Sequence, residues 1–151
     1  MNVSKVMSRN VKACHPDTSL EAAAMMMWDN DCGALPVVDG GGHPVGIVTD
    51  RDIAMSCALN HKAQWELTSK DVMGSRKIFT CRENDDVRTA LGIMQAQKVR
   101  RLPVLDGHGK LQGILSIDDV IAFSEGSMGK SVPGLSYEDT MSTLKSVCIH
   151  H

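Results

Sequence analysis

Residues 33–40 read GALPVVDG and residues 46–53 read GIVTDRDI, and both stretches return at an offset of 67 residues as RRLPVLDG (100–107) and GILSIDDV (113–120). The same offset also aligns four further pairs of residues. These pairs are Cys14 with Cys81, Leu20 with Val87, Ala23 with Ala90, and Met27 with Met94. A fixed internal period indicates one supersecondary unit used twice. We therefore predict two copies that bury each other's apolar faces across a pseudo-twofold axis.

The size and charge of the chain limit its architecture and its partners. A unit of about 60 residues buries only about 60% of its surface and is marginally stable alone, so two such copies in 151 residues are expected to need each other. The formal net charge is −2, and the pI is near 6.3. Nucleic acids and anionic membranes both require a basic face, so we predict neither as a partner.

The cellular location is inferred from what the sequence lacks. The first residues contain no apolar core of the length of a secretory signal, and no run approaches the roughly 20 apolar residues of a membrane span. The five cysteines are odd in number and include no Cys-x-x-Cys pair, which suits a reducing compartment better than a disulfide framework. We predict a cytoplasmic protein.

The first copy is expected to begin with a short strand at residues 12–14 and a helix behind it. Thr18 and Glu21 have the spacing of a capping box, with Thr18 as the N-cap. The helix is expected to end near Asn30, and its apolar stripe should face inward. The stripe consists of Leu20, Ala23, Ala24, Met27 and Trp28.

A hairpin and a second helix complete the copy. Strands at 35–38 and 45–48 flank a glycine-rich turn, and a helix follows Thr49. The second copy shows the same order, from a strand at 78–81 to a closing helix at 117–123. The predicted fold is α/β of the α+β type, with two βαββα motifs built from short three-stranded sheets packed by helices.

The segments outside the period divide the chain. The predicted boundaries are motif 1 at residues 3–56, a connector at 57–71, motif 2 at 72–123, and a linker with a C-terminal amphipathic helix at 124–151. Ser136 is the expected N-cap of that helix, with Asp139 at N3. Its apolar face would carry Met141, Leu144, Val147 and Cys148. The sequence leaves open whether this face docks on the core or on a second subunit.

This arrangement resembles the cystathionine β-synthase (CBS) domain family, and specifically its tandem pair, the Bateman module. Three features carry the resemblance over about residues 3–123. They are the Val-Met pairs at 6–7 and 72–73, the apolar-x-Pro strands ending at Pro36 and Pro103, and the Gly-x-x-[Thr/Ser]-x-x-Asp signatures at 46–52 and 113–119. Within the family, the chain resembles the small stand-alone bacterial CBS-pair proteins, some of which are linked to stress or low-oxygen responses.

Each signature places a hydroxyl and a carboxylate at the start of a closing helix. Thr49 with Asp52, and Ser116 with Asp119, occupy N-cap and N3 positions, where free N–H groups and the helix dipole attract anions. Such a pair can simply cap its own helix. The resemblance instead implies that the aspartate holds a ribose diol while the hydroxyl binds a sugar or phosphate oxygen.

The two implied sites differ in charge. Arg100 and Arg101 stand where the first copy has Gly33 and Ala34. The resemblance implies a nucleotide in the cleft between the motifs, its ribose on Asp52 and its phosphate on Arg101 and Arg100. Ile47 would lie against the adenine. The other cleft, with Ser116, Asp119 and Ile114, would take a less charged adenosyl group. Alternatively, the arginines pair with surface carboxylates such as Asp85 or Asp86.

No catalytic constellation is visible, so we predict a protein that is not an enzyme. The histidines are scattered, with no nucleophile at a readable spacing and no paired metal ligands. The resemblance implies a regulatory module that requires no cofactor and senses an adenine nucleotide (AMP, ADP or ATP), with S-adenosylmethionine or NAD as other ligands. It also implies a homodimer. The alternative is a ligand-free dimeric scaffold or stress-response interaction protein that recruits a client protein.

Overall fold

In the computed structural model, which describes residues 1–125 and 135–149, the helices and hairpins of both repeats follow the predicted order, but the first repeat has a two-stranded sheet where three strands were predicted. The fold is α+β, as predicted. The chain forms two units, which are called here the first unit (Val11–Ile78) and the second unit (Met1–Asn10 together with Phe79–His151). Each unit has a separate apolar core.

The first unit contains a two-stranded hairpin between helices. Its elements are α1 (Leu20–Asp29), β1 (Ala34–Val38), β2 (Pro44–Thr49), α2 (Asp50–Asn60) and α3 (Ser69–Met73). β1 and β2 are antiparallel, and Pro36 pairs with Ile47 at their centre. The expected strand at 12–14 is reduced to a single parallel bridge from Cys14 to Val37. The tight turn of the hairpin is made by Gly42, whose φ is +84°.

Two details of α1 differ from the sequence-based prediction. The N-cap is Ser19, whose hydroxyl accepts a hydrogen bond from Ala22 N–H at 3.1 Å, whereas the Thr18 hydroxyl accepts one from His15 N–H. Trp28, which we expected inside, has 82% of its surface exposed. At about 100° of rotation per residue, Trp28 lies about 100° away from the centre of the buried stripe. That stripe consists of Leu20, Ala23 and Met27.

The second unit has a three-stranded sheet. Its elements are β3 (Cys81–Arg82), α4 (Val87–Gln97), β4 (Arg101–Leu105), β5 (Leu111–Ser116), α5 (Ile117–Glu125) and α6 (Tyr137–Cys148). β3 is parallel to β4, and β4 is antiparallel to β5. All four apolar residues predicted to line α4 are buried. They are Val87, Ala90, Leu91 and Met94.

Each unit includes a lead-in segment that precedes the other repeat in the sequence. We call residues 1–10 and 69–78 the first and second lead-in segments. The first belongs to the second unit, where Ser8 N–H donates to Ile114 O at 2.9 Å and Ile114 N–H donates to Ser8 O at 3.0 Å. The second includes α3 and packs against β2 in the first unit. The folded units therefore differ from the sequence repeats.

The C-terminal helix α6 docks on the core of the second unit, which is one of the two alternatives left open by the sequence. It packs against α4 and α5, and Gln95 Nε2 donates to Thr143 Oγ1 at 2.8 Å. The predicted capping box of Ser136 and Asp139 is present. The predicted face was correct at Val147, which is buried, and at Leu144, which packs against the core, but Met141 and Cys148 are exposed and two threonines are buried instead. The buried residues are Thr140, Thr143 and Val147.

Candidate functional site

The start of α2 carries the capping box expected from the sequence. Thr49 Oγ1 accepts a hydrogen bond from Asp52 N–H at 3.1 Å, and Asp52 Oδ2 accepts one from Thr49 N–H at 3.0 Å. One carboxylate oxygen of Asp52, Oδ1, takes no part in this cap. A side chain in this position can cap the helix and bind a second donor at the same time.

The start of α5 repeats this geometry in the second unit. Ser116 Oγ accepts from Asp119 N–H at 3.1 Å, while Asp119 Oδ2 accepts from Ser116 N–H at 2.8 Å and from Ser116 Oγ at 2.6 Å. The other oxygen, Oδ1, accepts a hydrogen bond from the Ser8 hydroxyl at 2.8 Å. Within residues 1–125 and 135–149, the donors to Asp119 are all neutral, and one of them is supplied by the first lead-in segment.

Asp52 has a charged partner instead. Arg76, in the second lead-in segment, donates from Nη1 to Asp52 Oδ1 at 3.1 Å and from Nη2 to Asp52 Oδ2 at 3.2 Å. The guanidinium also donates from Nη2 to Val72 O at 3.1 Å and from Nε to Met73 O at 3.4 Å. The ion pair is bidentate, a geometry that adds both strength and directional selectivity.

The pKa of the Asp52 carboxyl reflects these contacts. Burial alone would raise this pKa, but the hydrogen bonds from Arg76 and Thr49 and the positive charge of Arg76 together hold it below its usual value. Asp52 is therefore an anion at neutral pH. It is available to hydrogen-bond donors only in competition with Arg76.

The two predicted adenine contacts occupy equivalent positions in the hairpins. Ile47 pairs with Pro36 and Ile114 pairs with Pro103, and both isoleucines are half-buried. Ile47 also lines a small cavity of about 120 Å³ next to the second lead-in segment. The other residues that line it are Gly46, Met73, Arg76, Lys77 and Ile78.

Arg101 is the first residue of β4 in the second unit and is half-buried, and Arg100 immediately precedes the strand and is exposed. The carboxylates proposed as their alternative partners are engaged elsewhere. Asp86 accepts hydrogen bonds from the N-terminal ammonium and from Arg88 N–H, and Asp85 accepts one from Arg82 N–H. Among residues 1–125 and 135–149, neither arginine forms an ion pair. The use of Asp52 and Arg101 on one ligand stays a prediction.

Comparison with known proteins identifies the family. The sequence profile of the CBS domain matches residues 3–58 and 70–126. The chain belongs to the CBS domain family. The tandem CBS pair indicated by the sequence motifs is thereby confirmed.

Two relatives of this CBS pair differ in how much of their own length the match covers. The chain is 30% identical over 121 residues to an uncharacterized protein of Methanopyrus kandleri, covering 80% of this chain and 61% of the relative. It is 31% identical over 108 residues to the inosine-5'-monophosphate dehydrogenase of Mycobacterium leprae, covering 72% of this chain and 19% of the enzyme. The match to the enzyme is thus confined to a small part of a longer protein.

Solved structures of CBS pairs share the fold and include ligand complexes. The CBS domain pair of protein MJ0100, solved with 5'-methylthioadenosine and S-adenosyl-L-methionine, aligns with a TM-score of 0.71 at 27% identity, covering 84% of this chain and 98% of that one. CBSX2, solved with AMP, aligns with a TM-score of 0.70 at 26% identity and the same coverage. Both are complexes with adenosine derivatives.

Two further observations describe what this CBS pair lacks. Over residues 1–125 and 135–149, no helix has the length and apolar character required to cross a membrane. In the same ranges, no three side chains of His, Cys, Asp or Glu come together as candidate ligands of a metal ion.

Ser8 and Arg76 are the site residues that sequence reasoning missed. Both lie in lead-in segments and outside the 67-residue period, so the repeat gives no indication of their partners. The Val-Met pairs mark these segments, but they do not show that a side chain from each one reaches the aspartate of a closing helix. That contact depends on the exchange of lead-in segments between the repeats.

Proposed function

We propose that this CBS pair is a non-catalytic regulatory module that binds an adenosine-containing ligand of the AMP, ADP or ATP class. The observation that carries the proposal is the repeated carboxylate at a helix N-terminus, Asp52 on α2 and Asp119 on α5, each with a half-buried isoleucine on the preceding strand. A carboxylate can accept both hydroxyl protons of a ribose, and the helix N-terminus favours a nearby phosphate.

The solved complexes support this ligand class. AMP, 5'-methylthioadenosine and S-adenosyl-L-methionine, the molecules bound by CBSX2 and MJ0100, all contain a ribose attached to adenine. We assign the ribose to Asp52 or Asp119, a sugar or phosphate oxygen to Thr49 or Ser116, the adenine to Ile47 or Ile114, and the phosphate to Arg101 and Arg100. S-adenosylmethionine and NAD are the other candidates.

The ligand proposal is tested by calorimetric titration and thermal shift with adenosine, AMP, ADP, ATP, S-adenosylmethionine and NAD. A ligand at 100 times its Kd should add about 2.7 kcal/mol to the free energy of unfolding. The double variant Asp52→Asn/Asp119→Asn should lose binding, whereas Asp118→Asn, an exposed neighbour, should retain it. Arg101→Ala should weaken AMP about tenfold or more and adenosine much less, because a charge-assisted bond is lost.

The outcomes separate the proposal from its alternative. A protein whose stability responds to none of these ligands would instead be a scaffold that recruits a client protein. Equal losses of AMP and adenosine affinity in Arg101→Ala would contradict the phosphate role of that arginine alone.

We also propose that the protein forms a homodimer through the helical face of the first unit. In that unit, α1 and α2 border an open groove of about 470 Å³ whose wall includes Trp28. Large exposed apolar side chains are concentrated on these helices and on the turn that follows them. They are Trp28, Met25, Met55, Leu59 and Trp65. Exposed apolar surface of this extent is typical of interfaces.

Sedimentation tests the dimer directly. Wild-type protein is expected to sediment as a dimer at micromolar concentration, and Trp28→Glu as a monomer, because a carboxylate would be placed inside the apolar contact. Val45→Glu introduces the same charge at an exposed apolar residue of β2 and should leave the dimer intact. A monomeric wild-type protein would contradict the proposal.

A further inference from the structure

The ribose-binding carboxylate proposed for the first unit is already occupied by an internal ligand. Both oxygens of Asp52 receive a hydrogen bond from the Arg76 guanidinium, at 3.1 and 3.2 Å. Two backbone oxygens, Val72 O and Met73 O, orient the same guanidinium. A diol in the same place would need the oxygens that Arg76 now holds.

In the second unit, no arginine of the described residues pairs with the corresponding carboxylate, Asp119. In the part of the chain that the structure describes, Asp119 Oδ1 accepts one hydrogen bond, from the neutral Ser8 hydroxyl at 2.8 Å. When the lead-in segments are aligned on their Val-Met pairs at 6–7 and 72–73, Ser8 corresponds to Gly74, which has no side chain. In the same alignment, Arg76 corresponds to Asn10. A hydroxyl of a ligand can replace a serine hydroxyl with little change in charge, whereas replacing an arginine leaves both charges without their partner.

We propose that Arg76 determines the specificity of the first unit for phosphorylated over unphosphorylated nucleosides. This inference rests on the proposed function, because it assumes that Asp52 accepts a ribose. A neutral nucleoside would have to displace a bidentate ion pair without giving Arg76 another anion. A nucleoside phosphate supplies one, so that its diol binds Asp52 while its phosphate binds the Arg76 guanidinium in addition to the arginines assigned above.

The surroundings of Arg76 allow this exchange. Its side chain has 57% of its surface exposed, whereas that of Asp52 has only 20%, so the arginine is the partner able to move. Arg76 also lines the cavity beside Ile47, together with Lys77. An anion at the mouth of this cavity would meet the guanidinium within reach of the carboxylate. The second unit, where Asp119 has neutral donors only, should accept nucleosides and nucleotides alike at its ribose position.

The test compares the affinities of AMP and adenosine in proteins that carry Asp119→Asn. This substitution removes the ribose position of the second unit, so that the measured affinity is that of the first unit. In Arg76→Met, adenosine should bind more tightly and AMP more weakly, and the ratio of AMP to adenosine affinity should fall about tenfold or more. Lys62→Met removes a positive charge from an exposed position of the same unit and should leave the ratio unchanged. NMR titration of Asp52 gives a reading independent of any ligand, since the pKa of its carboxyl should rise in Arg76→Met.

The outcomes distinguish this inference from the proposed function. If AMP and adenosine bind with the same ratio in Arg76→Met as in the parent protein, the specificity role is wrong while the ligand class stands. An Asp52 pKa that does not respond to Arg76→Met would also overturn the inference, because the ion pair would then be absent in solution. If neither nucleoside nor nucleotide binds any of these variants or the unmodified protein, the proposed function fails and the inference falls with it.

Discussion

Replacing Gly113 with alanine is expected to lower the free energy of unfolding by about 2–3 kcal/mol. A Cβ atom at this position would overlap the carbonyl oxygen of Ser8. That oxygen belongs to the backbone and accepts the hydrogen bond from Ile114 N–H at 3.0 Å. It cannot move away without separating the first lead-in segment from β5. Urea unfolding followed by circular dichroism measures the loss.

The equivalent glycine of the first unit provides a matched control. A Cβ at Gly46 would overlap the side chain of Met73, with the sulfur as its nearest atom. A thioether side chain is flexible and can change rotamer, so Gly46→Ala should cost about 1 kcal/mol or less. If both variants lose the same free energy of unfolding, the overlap with the Ser8 backbone is no more destabilising than the overlap with the Met73 side chain.

Replacing Val147 with aspartate is expected to release α6 from the second unit and to cost about 3 kcal/mol or more. Val147 is only 6% exposed and belongs to the core beneath α4 and α5. An ionised carboxylate there would lose its hydration without gaining a partner. Limited digestion with trypsin reports the release, because Lys145 lies within the helix and should become cleavable when α6 detaches.

Met141→Asp is the control on the same helix. Met141 is 43% exposed, so an aspartate there stays hydrated, and cleavage at Lys145 should remain slow. If Val147→Asp leaves both the digestion rate and the urea midpoint at their wild-type values, the packing of α6 described here does not persist in solution.

The elements of the repeat could be predicted because local signals agree with the fold. Both closing helices begin where Thr49 and Ser116 predict, because a hydroxyl followed three residues later by a carboxylate satisfies free N–H groups at a helix start. The fixed period then transfers each assignment from one copy to the other.

Helix faces were harder to predict because a residue one position along the chain turns through about 100°. Trp28 and Met141 were assigned to buried faces on apolar character, but both lie about 100° or more from the centre of the true face and are exposed. Two of the three buried residues on α6 are threonines, Thr140 and Thr143. Thr143 can be buried because its hydroxyl donates to Asp139 O at 2.8 Å and accepts a hydrogen bond from Gln95, so that it is hydrogen-bonded as both donor and acceptor.

The contacts of the two aspartates could not be predicted, because they depend on pairs far apart in the sequence. Arg76 and Asp52 are 24 residues apart, and Ser8 and Asp119 are 111 residues apart. No periodicity connects such pairs, and each is formed only after a lead-in segment has packed on its unit. Sequence patterns indicated which carboxylates could bind a ligand, but not which side chains compete for them.

The exchange of lead-in segments has a consequence for biosynthesis. Ser8 leaves the ribosome well before Ile114 and Asp119, and at about 5–20 residues per second it waits for several seconds or longer before these partners exist. During that interval, residues 11–78 can already assemble, because their own lead-in segment is contiguous with them. Translation therefore imposes an order in which the first lead-in segment is made before the first unit and takes its place in the second unit only after the first unit has been made.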